Sequence, residues 1–139
     1  VWLQKPLKNG TSNLIIKDLN SSVSDFEKIN LNDVVSLRDS IGKEFIPGRV
    51  ENSYMITEKE YLPYISYQSV NGFEAIETRG TWEVKGDYMG GPFINYIIKD
   101  TLNNSLLYVE GFVFSPSQRK RDKMIELEAV IKSMVIGKR

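Results

Sequence analysis

Cysteine and histidine are both absent from this 139-residue sequence. Without cysteine, the chain has no disulfide, no cysteine-ligated zinc or iron–sulfur centre and no thiolate nucleophile. Without histidine, it lacks the commonest general base and the commonest transition-metal ligand, which excludes Ser-His-Asp triads and histidine-based metal sites. Catalysis would have to rely on carboxylates, lysine or tyrosine. We therefore predict no catalytic residue, no metal site and no cofactor, and a non-enzymatic role is favoured.

Long apolar runs and an excess of one charge are missing as well. No stretch approaches the roughly 18 apolar residues of a membrane-spanning helix. Eighteen basic and eighteen acidic residues cancel, so no nucleic-acid partner is expected. The length suits one domain, and the sequence contains no repeat or linker, which predicts a single domain over residues 1–139. Since the chain opens on an apolar stretch without methionine or a signal peptide, we expect a portion of a longer or processed protein.

An amphipathic helix is predicted from Leu31 to Phe45. Apolar residues recur there at three- and four-residue spacing, with Asn30 or Asn32 available as N-cap and Pro47-Gly48 as a stop.

A second amphipathic helix is predicted from Pro116 to Val135. Ser115 has the position of an N-cap, Pro116 that of the first helical residue, and Gln118 would close a capping box. This pattern makes the predicted start of the helix unusually well defined.

Short strands account for much of the remaining sequence. One is predicted at Asn13–Lys17, and four consecutive strands should form an antiparallel meander that ends at Phe114. Within the meander, Asn71-Gly72 predicts a tight hairpin, because type I′ turns need positive φ at both central residues. In the following strand, alternation places Arg79 and Glu83 on a face that we expect to be mostly solvated.

These elements predict an α+β fold. We expect a twisted antiparallel sheet of about five to six strands, with a C-terminal four-strand meander, packed against two main helices.

The glycine-rich segment from Gly86 to Phe93 has two interpretations. Glycine-rich turns can cradle phosphate groups, but this one has no Gly-Lys-Ser/Thr and leads into a strand, whereas phosphate loops open a helix. A hairpin connection is therefore favoured. It would display Asp87, Tyr88 and Met89 at a loop tip, where binding residues are common.

A run of basic residues, Arg119-Lys120-Arg121, lies in the first turns of the second predicted helix. Positive charge is mildly unfavourable at a helix N-terminus, so the run is a weak indication of an acidic partner, although a solvated face is the simpler interpretation. The complete candidate binding surface consists of Arg79, Glu83, Asp87, Tyr88, Met89, Arg119, Lys120 and Arg121.

Several carboxylates of the meander allow a different interpretation. Two that converge in a pocket could act as an acid and base pair. A cross-strand salt-bridge ladder is favoured, because Arg79 shares a strand face with Glu77 and Glu83. The carboxylates considered are Glu77, Glu83, Asp87 and Glu110.

Seven short motifs, in their order and spacing, resemble one family. They are Arg38-Asp39-Ser40, Ile46-Pro47-Gly48, Ser53-Tyr54-Met55-Ile56-Thr57-Glu58, Arg79-Gly80-Thr81-Trp82-Glu83-Val84, Met89-Gly90-Gly91-Pro92-Phe93, Glu110-Gly111-Phe112 and Leu127-Glu128-Ala129. The family is an uncharacterised envelope lipoprotein family of Bacteroidota, catalogued as a domain of unknown function, and the likeness spans nearly the whole chain.

The resemblance implies a location in the cell envelope and supplies no catalytic residue. It also implies that this chain is the C-terminal half of a longer lipoprotein, attached to the membrane only through a lipid anchor outside the chain. More loosely, the order of elements is similar to the PsbP-like α/β/α sandwich.

Together these features favour a non-enzymatic binding or assembly module of the cell envelope, with an envelope protein as its partner. One alternative is a carboxylate-dependent hydrolase or carbohydrate-active domain. Another is a carrier of a small apolar ligand, which would need a cavity lined by residues such as Tyr64, Tyr67, Tyr96 and Tyr108.

Overall fold

The computed structural model describes residues 1–116 and 119–139. Its elements are β1 (Trp2–Leu7), β2 (Gly10–Asp18), a 3₁₀ segment (Val23–Lys28), α1 (Leu31–Phe45), β3 (Tyr54–Thr57), β4 (Tyr64–Val70), β5 (Phe73–Lys85), β6 (Gly90–Asp100), β7 (Ser105–Phe114) and α2 (Arg121–Lys132). The fold is therefore an α+β fold dominated by sheet, as the sequence predicts.

The strands form one antiparallel sheet of seven strands in the order β1-β2-β7-β6-β5-β3, and β4 also pairs with β5. The meander from β4 to β7 is confirmed. The sheet is larger than the five to six strands expected because β1 adds an edge strand and the four-residue β3 pairs with the end of β5 that β4 does not reach.

Two local predictions are confirmed. α1 has the bounds that the apolar spacing gives, and Asn30 caps it in a capping box with Asp33. The turn between β4 and β5 has positive φ at Asn71 (48°) and Gly72 (87°), which is the backbone that a type I′ hairpin requires.

The predicted start of the second helix is wrong. α2 begins at Arg121, five residues after Pro116, and its N-cap residue Lys120 makes no side-chain capping bond within the described residues. Ser115 directly follows β7 and is 1% exposed, so burial beside the sheet holds it away from the helix. Gln118, the other half of the predicted capping box, lies outside the described residues. The helix ends at Lys132 rather than Val135.

The two helices cover opposite faces of the sheet. Ile131 of α2 packs with Tyr96 and Val109, whereas Ile41 of α1 packs in the cluster that contains Tyr108. Neighbouring residues of a strand point to opposite faces, so α1 and α2 enclose the sheet from two sides.

This layering overturns the expectation of a mostly solvated face on β5. Ala75 and Glu77 are only 1% and 5% exposed, because α2 packs on that side of the sheet. Within the described residues, no helix combines the length and the apolar character needed to cross a bilayer.

Candidate functional site

An open hollow of about 700 Å³ lies beside the connection between β5 and β6. Five residues of the candidate surface line it, namely Glu83, Asp87, Tyr88, Met89 and Lys120. The other described residues of its wall are Glu58, Thr81, Trp82, Gly90, Gly91 and Pro92. The hollow therefore joins the hairpin tip to the segment that precedes α2.

The hairpin tip is anchored on both sides. Arg49, in the loop after α1, donates from Nε and Nη2 to the two carboxylate oxygens of Asp87 at 3.0 and 3.3 Å. These bonds hold the pKa of Asp87 below its usual value. The backbone amide of Tyr88 donates to the same carboxylate at 2.7 Å, and the amide of Val84 donates to the carbonyl of Met89 at 3.0 Å. The Tyr88 side chain is nevertheless fully exposed.

The glycines of this segment serve the backbone of the hairpin. Gly86 has a φ of 91°, a turn conformation that glycine adopts without strain. A Cβ on Gly91 would meet the carbonyl oxygen of Val113, which accepts a hydrogen bond from Trp82 Nε1 at 3.2 Å. The interpretation as a hairpin connection is confirmed, and β6 begins at Gly90 instead of a helix.

The acidic side of the hollow comes from Glu83 of β5 and from Glu58, which directly follows β3. Glu83 lies opposite Ile56 in the β3–β5 pairing, and the Glu58 amide, two residues further on, donates to the carbonyl of Thr81 at 2.8 Å. Both Glu58 oxygens accept bonds from the backbone amides of Glu60 (2.6 Å) and Tyr61 (3.1 Å). Glu58 was missed as a site residue because only the register of β3 against β5 brings it there.

Arg79 lies away from the hollow. It donates to Glu77 and to Glu128 of α2, each at 2.7 Å, and α2 covers it in part. The predicted cross-strand ladder is not present: Arg79 pairs with Glu77 within β5 and with Glu128 of α2, and not with Glu83. Arg79 and the hairpin tip do not form one surface.

The basic run is divided by the start of α2. Arg119 and Lys120 precede the helix and Arg121 is its first residue. Of these three, only Lys120 is among the described residues of the wall. Arg119 and Arg121 are exposed to solvent. Lys120 at the N-cap and Arg121 at the first helical position lie closer to the positive end of the macrodipole than the predicted start at Pro116 would place them.

Of the carboxylates considered for acid and base roles, Glu83 and Asp87 share the wall of the hollow, whereas the other two lie elsewhere. Glu77 and Glu110 point to opposite faces of the sheet, and each is paired with an arginine, Arg79 and Arg38 respectively. In the hollow, the lowered pKa of Asp87 is the reverse of what a general acid needs. Within residues 1–116 and 119–139, no cluster of three or more acidic side chains is suited to a metal ion.

The four tyrosines named for a carrier cavity lie apart. Tyr96 and Tyr108 are buried on opposite faces, where their hydroxyls donate to Glu77 (2.6 Å) and Glu110 (2.9 Å). Tyr64 and Tyr67 are 61% and 70% exposed on β4. These four tyrosines therefore do not line one cavity. The two buried hydroxyls are instead held by the acceptors that burial requires.

Comparison with known proteins supports one part of the motif resemblance, namely a family of unknown function. No curated protein is significantly similar to the chain. Nor does any solved structure match it. The family model described as a domain of unknown function (DUF4837) matches residues 1–133. The chain therefore belongs to the DUF4837 family.

Proposed function

We propose that this domain is a non-enzymatic binding module that holds a protein partner at the hollow beside the β5–β6 hairpin. The observation that carries the proposal is the fully exposed Tyr88 on a tip that Arg49 and Asp87 anchor. Tyrosine is enriched among the residues that dominate binding energy, and an anchored loop loses little conformational entropy when it binds.

The charges of the hollow suggest the chemistry of the partner. Glu58, Glu83 and Asp87 contribute three carboxylates to the wall, and Lys120 contributes one cation. Arg49 neutralises Asp87, which leaves Glu58 and Glu83 as the acidic side. We infer a partner segment with a basic residue for that side and an apolar or aromatic residue for Tyr88 and Pro92.

The cell envelope is the proposed location, and an envelope protein is the proposed partner. Both rest on the motif resemblance to envelope lipoproteins of Bacteroidota, as does a lipid anchor outside the present chain. The sheet enclosed by two helices is compatible with a PsbP-like sandwich, which remains a proposal about layout.

Site-specific crosslinking in the full-length protein tests the proposed surface. A photo-reactive residue at position 88 should yield a discrete crosslinked partner in the native membrane, whereas one at position 67 should not. Tyr67 is a matched control because it is also a largely exposed tyrosine, on β4.

Three variants refine this experiment. Tyr88→Ala should abolish recovery of the partner and Tyr67→Ala should not. Arg119→Ala combined with Arg121→Ala should weaken the association and flatten its salt dependence if the contact extends to the basic run. Recovery of the monomer alone, or equal crosslinking at both positions, would contradict a binding role for this surface.

A further inference from the structure

A second concave surface lies on the α1 face of the sheet, along β1 and β2. The odd-numbered residues of β2 from Thr11 to Lys17 point to this face. Two spaces of about 200 and 230 Å³ adjoin there and share Trp2 and Ile46 as walls. We call the two spaces together the β1–β2 groove; the β2 residues among their walls run from Thr11 to Lys17.

The end of the groove near Thr11 is lined by aromatic, thioether and branched side chains. They are Met55, Trp82, Val84, Met89, Phe112 and Phe114. Polar side chains at this end are paired within the protein: Trp2 Nε1 and Gln4 Nε2 both donate to Asn13 Oδ1 at 3.0 Å. The one cation among the described residues here, Arg49, donates to Asp87 at 3.0 and 3.3 Å. A ligand would therefore find mainly apolar contacts here, and burying apolar surface is favourable.

The other end of the groove is apolar with a cation at its mouth. Ile15, Ile41 and Phe45 are among its walls, and the Lys17 ammonium lies 5.5 Å from the centroid of the Phe45 ring. No carboxylate is among the described residues that line this end. The charge available to a ligand at this mouth is therefore positive.

We propose that the β1–β2 groove binds a single amphiphile with an anionic head and one unbranched aliphatic chain. The head lies at Lys17, and the chain passes Trp2 toward Trp82 and Met55. Each space exceeds the ~150 Å³ of an apolar cavity that accommodates benzene. From residue 11 to residue 17 the strand covers about 20 Å, which suits an extended chain better than a compact ring system.

The groove does not depend on the partner proposed for the hollow. Lys17, where the anionic head of the ligand would bind, lies on the other face of the sheet. A protein segment that inserts apolar side chains is the competing occupant, and the head-group comparison below distinguishes the two.

The test uses dodecanoate as the probe, kept below the concentration at which it aggregates. The chain has two tryptophans, and both Trp2 and Trp82 line the groove, so their emission reports directly on binding. We expect a saturable change in emission with dodecanoate and a weaker response with dodecyltrimethylammonium, whose head has the opposite charge.

Substitutions then assign the two ends. Lys17→Ala should weaken dodecanoate binding about fivefold, the effect of one solvent-accessible charge pair, and leave dodecanol binding unchanged. Lys28→Ala, at an exposed lysine of the 3₁₀ segment, is the matched control and should change neither. Thr11→Phe should fill the apolar end and abolish the response, with circular dichroism used to verify that the variant folds.

Three results would each overturn the proposal: no saturable response below the aggregation concentration, equal affinity for both charged heads, or binding that persists in folded Thr11→Phe. Crosslinking of a protein segment to this groove without any dodecanoate response would assign the groove to the competing occupant.

Discussion

Arg38 of α1 and Glu110 of β7 form a buried ion pair, and removal of either partner should be strongly destabilising. Their side chains are 1% and 0% exposed, and Arg38 Nη2 lies 2.8 Å from Glu110 Oε2. Glu110 also accepts hydrogen bonds from Tyr108 (2.9 Å) and Asn95 (3.1 Å). The Arg38 guanidinium carbon is 3.5 Å from the centroid of the Phe93 ring. Burial alone would lower the pKa of Arg38, but the Glu110 carboxylate outweighs burial and raises it.

Arg38→Met is the informative perturbation. It leaves the Glu110 carboxylate in a site closed to solvent, with only the neutral donors Tyr108 and Asn95. Removing one partner of a buried ion pair costs about 3–5 kcal/mol, a large share of the roughly 5–15 kcal/mol that stabilises an ordinary domain. Arg38→Lys keeps the charge but cannot make the two-pronged contact, so its loss should be intermediate.

Urea unfolding followed by tryptophan emission measures these losses, provided that the slope of the transition is unchanged between variants. Arg121→Met is the control, since Arg121 is an exposed arginine of α2, and its midpoint should equal that of the wild type. A loss below about 1 kcal/mol in Arg38→Met, the range of exposed pairs, would refute the inference that the buried charge is costly when unpaired.

Two further predictions concern the backbone at Gly72 and the buried hydroxyl of Tyr96. Gly72→Ala should lower the free energy of unfolding by about 1 kcal/mol, because φ is 87° there and nothing lies within 4 Å of a new Cβ. Gly137 is also in open space but has no positive φ, so Gly137→Ala should leave the free energy of unfolding unchanged. Equal effects of the two substitutions in urea unfolding would refute this. Tyr96→Phe should cost about 1.5–3 kcal/mol at neutral pH, since Glu77 loses a hydrogen bond, and an unchanged midpoint would contradict it. Burial, followed by the bond to Glu77, raises the pKa of Tyr96 above its usual 10.0. The unfolded chain therefore loses this proton first, so the stability is complete below pH 10 and falls above it by about 1.4 kcal/mol per pH unit for this group. Above pH 10, the free energy of unfolding of Tyr96→Phe should therefore fall less steeply with pH than that of the wild type. Equal slopes in the two proteins would exclude Tyr96 as a source of the alkaline loss.

Elements defined by local signals could be predicted from the sequence. The apolar spacing and cap of α1 and the Asn71-Gly72 turn depend on neighbouring residues, and both are confirmed. The start of α2 could not be predicted in this way. Ser115 and Pro116 match a helix start locally, but Ser115 is buried directly beyond β7, where strand pairing with β2 takes precedence over the local preference.

The candidate site was predictable where it is continuous in sequence. Asp87, Tyr88 and Met89 lie together because one hairpin carries them. Glu58 joins them only through the register of β3 on β5, and Arg79 leaves them only because α2 covers that part of the sheet. Both outcomes depend on contacts between residues far apart in the chain, which alternation within a single strand does not encode.

The hollow and the β1–β2 groove share part of their walls, since Trp82 and Met89 line both. Substitution of Trp82 or Met89 would disturb both surfaces and could not show which of the two binds. Among the described lining residues, Tyr88 belongs to the hollow alone and Lys17 to the groove alone. Dodecanoate affinity in Tyr88→Ala and crosslinking at position 88 in Lys17→Ala therefore test the two surfaces independently. If dodecanoate shifts the affinity for a partner, linkage requires that the partner shift the affinity for dodecanoate by the same factor. Coupling through the shared wall must produce both shifts by equal factors. If dodecanoate changed the affinity for the partner but the partner did not change the affinity for dodecanoate, the dodecanoate effect would not arise from binding in the groove.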